Sequence, residues 1–302
     1  MNVTSVDWLP SVFIGLMGLS FLIYAILDGY DLGVGVLLPL DNPQQRDTMI
    51  YSIGPFWDAN ETWLVMAIGL LLIAFPKAHS IIFQALYLPT ALMLAGLILR
   101  GVSFDFRTKA PITDKHKWDY AFKFGSLLAT LTQGYMLGRY VTSFEDSWLS
   151  IGFSALSAVC VTAGYCFIGA AWLVMKTEGE LQRRAANWAK ITNVLMAVGI
   201  IAVCLTNLLI DQQIMDKWLG GMQVLILIPI TLLLAFTFIT VHLYLDKVPM
   251  ADDIGCWFPF LAAIILFIMC FCGLAYSFYP YIVPFKMTIF EAASARESLW
   301  FI

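Results

Sequence analysis

A chain of 302 residues with 60% hydrophobic side chains and only 13% charged ones is too apolar for a soluble domain, where about a quarter of residues carry charge. Disorder, collagen and coiled coil fail for the same reason, and a net charge of −4 offers nothing to a nucleic acid. A mean hydropathy of +0.81 belongs in a bilayer.

A helix crosses the hydrocarbon with about 20 apolar residues. Such windows run Val12–Leu38, Ile53–Phe75, Ile81–Arg100, Lys123–Val141, Leu149–Met175, Ile191–Ile210, Met222–Leu245 and Trp257–Pro280. They predict an all-α polytopic membrane protein of eight transmembrane helices, with residues 1–302 as one integral membrane domain. Pro39, Pro43, Pro76, Pro111 and Pro249 mark the joints. Met1 to Leu9 hold no Lys or Arg and no small-residue cleavage site follows the first run, so that run is expected to be a retained span and not a signal peptide.

Orientation follows from the basic residues. With the N-terminus outside, the inner connections carry Arg46, then Arg100, Arg107, Lys109, Lys115, Lys117 and Lys123, then Lys176, Arg183, Arg184 and Lys190, then Lys247. These are 12 of the 17 Lys and Arg residues, so this orientation is expected. Gly29-x-x-x-Gly33 and Gly134-x-x-x-Gly138 are spaced for close helix contact. The six cysteines show no paired or metal-binding spacing and read as small buried apolar residues.

Ionisable side chains inside a span are expensive and mark function unless they serve assembly. Asp28 and Asp31 sit three apart near the inner end of the first span, and Asp58 and Glu61 three apart in the first turns of the second. Each pair shares a helix face, and the two faces lie at the same depth, so four carboxylates can converge, with Arg100 within reach. Crowded carboxylates in low dielectric cannot all ionise, which suits a proton relay. The competing structural reading gives Asp58 and Glu61 to a helix N-terminus and Arg100 to charge neutralisation. The stretch Arg100 to Arg107, including Asp105, reads as a helix end emerging at the interface, its charges anchoring it there.

Gln133, Asn193 and Asn207 are expected to hydrogen-bond between helices, and Trp8, Trp148, Trp218 and Trp257 to form an interface belt. Only three histidines exist, His79, His116 and His242, and only His242 lies inside a span. No haem or metal site from this chain's own ligands is expected. Nucleotide-binding loops and protease motifs are missing.

Three ordered motifs, Asp28-Gly-Tyr-Asp-Leu-Gly-Val-Gly35, Trp57-Asp-Ala-Asn-Glu-Thr-Trp-Leu64 and Arg100-Gly-Val-Ser-Phe-Asp-Phe-Arg107, resemble subunit II of the cytochrome bd quinol oxidases. So do Gln133-Gly134, the stretch Gly169 to Gly179, and Thr288 to Ser294. The resemblance implies two four-helix bundles, here 12–141 and 149–280, and a ninth helix in family members that this chain's eight windows do not supply. It implies a heterodimer with a haem-bearing subunit I that oxidises quinol, reduces oxygen and holds haems b and d, in the bacterial cytoplasmic membrane. A small accessory subunit, membrane lipids and a structural quinone are further expected companions. Asp58 takes the family's proton-pathway position, Glu61, Asp28 and Asp31 stand in neighbouring motifs, and Arg100 with Asp105 forms a supporting ion pair. Two alternatives stand beside this reading: a proton-coupled secondary transporter and a purely structural assembly subunit.

Overall fold

The computed structural model describes residues 8–111, 113–210, 212–221, 224–249 and 255–301; the side chains of 207–210, 212–214, 224 and 226 lie outside the described set. Chain order is α1 (Leu9–Leu37), α2 (Pro43–Ile53), α3 (Trp57–Ala74), α4 (Pro76–Ala85), α5 (Tyr87–Lys109), α6 (Lys115–Val141), α7 (Trp148–Lys176), α8 (Gly179–Ile210), α9 (Gln212–Leu219), α10 (Val224–Leu245) and α11 (Phe258–Phe278). Then come β1 (Tyr281–Val283), β2 (Met287–Thr288), α12 (Ile289–Ala292) and α13 (Arg296–Trp300). Among the described residues seven helices, α1, α3, α5, α7, α8, α10 and α11, are long and apolar enough to cross a membrane. The chain is therefore an all-helical polytopic membrane protein, with one antiparallel two-stranded hairpin.

Prolines set several starts. Pro10, Pro43, Pro76 and Pro259 occupy first-turn positions, where the missing N–H costs nothing. Side-chain caps supply other ends: Asn42 accepts from the Gln45 N–H at 3.1 Å and Ser147 from the Ser150 N–H at 3.1 Å.

The third span departs from its expected bounds. Helix α4 stops at Ala85 and α5 begins at Tyr87, because the ring of Pro89 cannot tolerate a helical carbonyl four residues earlier. At its other end α5 runs on to Lys109. Arg100 is thus a mid-helix residue and not a terminal one, and the segment 100–107 is helix throughout. Hydropathy falls at the first Arg, but backbone hydrogen bonding does not. For the same reason α8 begins at Gly179, three turns before its apolar window.

Helix α1 lies at the centre, packed against α3, α6, α7 and α11. Its contact with α7 is backbone-close: a Cβ on Gly33 would fall 1.8 Å from the Tyr165 carbonyl oxygen. Gly134 and Gly138 let α6 approach α7 at Ala158 and Ser154 in the same way. The largest apolar cluster joins Leu38, Met49, Phe122, Phe167, Leu173, Leu245 and Leu266, all but closed to solvent. The cysteines divide: Cys166 and Cys256 are buried, Cys160 and Cys270 half-buried, Cys204 and Cys272 exposed, and all are free thiols. Exposure in an apolar solvent is no penalty for a thiol, so burial was the wrong expectation for four of them.

At the end where α1 begins, the segment from β1 onward folds back over the helices. Tyr140 donates its hydroxyl to the Ile282 carbonyl at 2.9 Å, Lys286 donates to the Ser143 carbonyl at 2.6 Å, and the Ser294 N–H reaches the Ala74 carbonyl at 2.8 Å. Thr288 and Glu291 form a reciprocal capping box at the start of α12.

Candidate functional site

The opposite end holds the buried charge. Helices α1 and α3 run in opposite directions and pack together, so the Asp28 turn and the Glu61 turn meet, and α5 brings Arg100 between them. The Arg100 side chain is fully buried. Its Nη1 donates to Asp28 Oδ1 at 2.7 Å and to Glu61 Oε1 at 3.3 Å, and its Nη2 stands 3.9 Å from Asp31 Oδ2. The Asp28 and Asp31 carboxylates are 0% exposed, that of Glu61 28%. The Trp57 ring lies 5.9 Å from the guanidinium carbon.

Three acids therefore surround one cation, a formal surplus of two negative charges, with Asp28, Asp31 and Arg100 closed to solvent and Glu61 partly open to it. Asp28 Oδ2, Asp31 Oδ1, Arg100 Nε and Arg100 Nη2 have no protein hydrogen-bond partner, although buried polar atoms almost always find one.

Of the expected site residues, Asp28, Asp31, Glu61 and Arg100 come together; Asp58 and Asp105 do not. Asp58 is exposed on α3, a turn from Glu61 and close enough to act on it electrostatically. It is the rim of the site and not a member of the buried group. Asp105 is exposed on α5 and makes no ion pair with Arg100: five residues along a helix is about 140° around its axis, so the two side chains point apart. Arg100 takes Asp28 as its partner instead.

Asn60 was missed by the sequence reading as a chemical participant. Its Nδ2 donates to Asp31 Oδ2 at 2.7 Å and to the Tyr30 hydroxyl at 3.2 Å, holding the acid that Arg100 holds least well. The helical register could have found it, since Asn60 lies between the two acids of α3 and faces α1. Beyond the acids a polar chain continues: the Tyr24 hydroxyl, beside Asp28, accepts from Gln133 Nε2 at 2.7 Å, and Tyr165 donates to Gln133 Oε1 at 2.8 Å. Gln133 is thus the interhelical bonder expected of it. So is Asn193, whose Nδ2 donates to the Phe238 carbonyl at 3.2 Å. The Asn207 side chain lies outside the described residues.

A second charged group sits nearby. Arg107 donates to Asp119 and Asp47, each at 2.5 Å, and Arg46 Nε stands 3.1 Å from Asp119 Oδ2. This group ties α2, α5 and α6 together with two acids and two bases, so it reads as an anchor. At the same end Arg184 hydrogen-bonds the Asp41 carboxylate and holds its carboxyl below the usual range.

The histidines are dispersed. His79 stacks on Phe83 in α4, His116 Nδ1 lies 2.8 Å from the Thr113 carbonyl in an exposed turn, and His242 is on α10. No group of three His, Cys, Asp or Glu side chains is arranged for a metal among the described residues.

Fold and site together define a polytopic helical membrane protein with an acid-rich buried charge cluster at one end. The profile of the cytochrome bd terminal oxidase subunit II family matches residues 9–302, and the chain belongs to that family. It is similar to cytochrome bd ubiquinol oxidase subunit 2 of Bacillus subtilis (strain 168), 30% identical over 206 residues, 62% of this chain and 59% of the relative. It is likewise similar to cytochrome bd-I ubiquinol oxidase subunit 2 of Escherichia coli (strain K12), 33% identical over 193 residues, 58% of this chain and 51% of the relative. The chain thus matches little more than half the length of these relatives. Among solved structures, bd oxidase from Geobacillus thermodenitrificans shares the fold with a TM-score of 0.69 at 9% identity, covering 96% of this chain and 92% of that one.

Proposed function

We propose that this chain is the subunit II partner in a bd-type quinol:oxygen oxidoreductase, supporting a haem-bearing subunit I and delivering protons to it from the cytoplasm. The observation that carries the proton role is the ring of Asp28, Asp31 and Glu61 around one fully buried cation, Arg100. A surplus of acid at lipid depth is costly unless it exchanges protons or holds water. A purely structural ion pair needs one acid per base, as the neighbouring group of Arg46 and Arg107 with Asp47 and Asp119 has.

Exposure falls in steps along the proposed route, from exposed Asp58 to half-buried Glu61 to Asp28 and Arg100. Water bridging the unpartnered oxygens and nitrogens would complete the relay. Electron transfer, haems b and d and quinol oxidation belong to the partner in this reading; the dispersed histidines of this chain accord with that division. The partner's docking face is α3. An exposed carboxylate on an apolar helix does not face acyl chains, and Asp58 with Val65 and Met66 marks that face.

The finer topology goes with the same proposal: α6 as an eighth span, two four-helix groupings, and an N-terminus outside the cytoplasmic membrane. Helix α6 is 27 residues long and lies packed between α5 and α7, and Lys117, Asp119 and Arg139 form ion pairs toward its two ends. The basic residues at the α1–α2, α5–α6 and α7–α8 turns support the orientation.

The test is Asp58→Asn in the intact complex. Slower oxygen uptake per haem with an unchanged haem spectrum is expected, with subunit I identified by mass in the purified material. Unchanged turnover removes Asp58 from the route, and loss of haem signal assigns it to assembly. A chain that purifies alone, free of haem and active in proton-coupled transport, would decide for the transporter.

A further inference from the structure

The basic end also carries a cavity, broadly open to the outside, that the acid cluster does not use. Its volume is about 420 Å³, and Leu37, Leu38, Asp41, Lys123, Arg184 and Trp188 are among its lining, which is the size of a small-molecule site. Two cations from different helices face it. Lys123, on α6, donates to the Leu38 carbonyl at 2.8 Å, which occupies one of the three donors an ammonium carries. Arg184, on α8, reaches Asp41 at 3.1 and 3.2 Å and Gln45 Oε1 at 2.9 Å, with its guanidinium 5.1 Å above the Trp188 ring.

Asp41, 68% exposed, is the one carboxylate among the lining residues and pairs with Arg184, so two cations share a single acid and the charge of Lys123 is left over. Two like charges brought together by separate helices repel, and an anion between them removes that repulsion. The remaining wall, Leu37, Leu38 and Trp188, is apolar and suits the upper part of an acyl chain, not a fully hydrated ion.

We propose that this cavity binds the phosphodiester of an anionic phospholipid, with Lys123 and Arg184 on the phosphate and the glycerol against Trp188. The assignment to the cytoplasmic leaflet rests on the orientation proposed above; the binding itself does not. A basic pocket between helices, facing one leaflet, is the usual form of such sites.

The experiment takes the protein purified with its partner, delipidated in detergent, and offers it dioleoylphosphatidylglycerol, dioleoylphosphatidylcholine or inorganic phosphate, read by native mass spectrometry. Phosphatidylglycerol is expected to be retained in preference to phosphatidylcholine. Retention should fall about fivefold for each cation removed in Lys123→Gln and in Lys123→Gln with Arg184→Gln, and rise in Asp41→Asn. Equal retention of the two lipids, or an unchanged affinity in the double variant, overturns the proposal. Binding of inorganic phosphate as tight as that of phosphatidylglycerol would make this a free-phosphate site and also overturn it. Should the double variant fail to assemble, Asp41→Asn decides: higher retention supports the lipid site and unchanged retention refutes it. Oxygen uptake per haem reads the acid cluster separately, so failure here leaves the proton proposal standing.

Discussion

Helices α1, α3 and α5 and helices α8, α10 and α11 are all apolar enough to span a membrane, yet they bury different things. The first three enclose Arg100, Asp28, Asp31 and Asn60, while α8 and α10 meet through Asn193 and α11 contributes Ala262, Ala263 and Leu266. Composition alone does not separate these regions. What separates them is whether polar residues on antiparallel helices fall at one depth, as 28–31 and 60–61 do. The charged region gathers three acids on one cation, whereas the other buries mostly apolar side chains with neutral polar groups such as Asn193 among them.

The sharpest way to break this contrast is to take the cation away. Arg100→Leu leaves three carboxylates around an apolar side chain, and removal of one partner from a buried pair costs about 3–5 kcal/mol. Loss of most assembled complex is expected by size-exclusion chromatography, with partial rescue when Asp28→Asn is added. Asn193→Leu is the matched change in the other region. It removes one hydrogen bond and also the Asn193 Oδ1 that has no partner, so the net cost is expected near zero, with an unshifted melting temperature.

Gln133→Leu is intermediate. It breaks the links to Tyr24 and Tyr165, and membrane hydrogen bonds of this kind contribute about 0.6–2 kcal/mol; a small fall in melting temperature with normal assembly is the expected result. The smallest effect lies outside the spans. Because Arg184 lowers the Asp41 carboxyl, this link is fully present above about pH 4 and is lost as pH falls through the lowered value. Protection of the 38–42 turn from hydrogen exchange, taken relative to the intrinsic rate at each pH, should be unchanged from pH 7 to 5 and fall only in stronger acid.

The fold was legible where physics acts over one segment. Span length placed α1, α7 and α11 within about three residues at their ends, and the Gly29 and Gly134 motifs did mark close helix contacts. It failed where the cause was local stereochemistry, as at Pro89, or where helix outlasted hydrophobicity, as from Arg100 to Lys109 and from Gly179. The hairpin and α12 are too short for any periodicity to announce.

The site was legible as a list of residues more than as an arrangement. Asp28, Asp31, Glu61 and Arg100 were found because ions in a membrane stand out. Helical phase sets Asp105 apart from Arg100, whereas Asp58 shares the face of Glu61 but lies in the first turn of α3, where it is exposed. The partnership of Arg107 with Asp119 and of Arg46 with Asp119 joins elements up to 73 positions apart, and nothing local in the sequence connects them.

Glu61 joins the exposed rim to the buried cation, so its replacement tests the relay most directly. In the assembled complex carrying Glu61→Gln, quinol-driven oxygen uptake per haem should fall about a hundredfold, the lower end of the usual loss when one proton-transfer group is removed, with haem content and spectrum retained. Full turnover with that side chain unable to carry a proton would contradict the account.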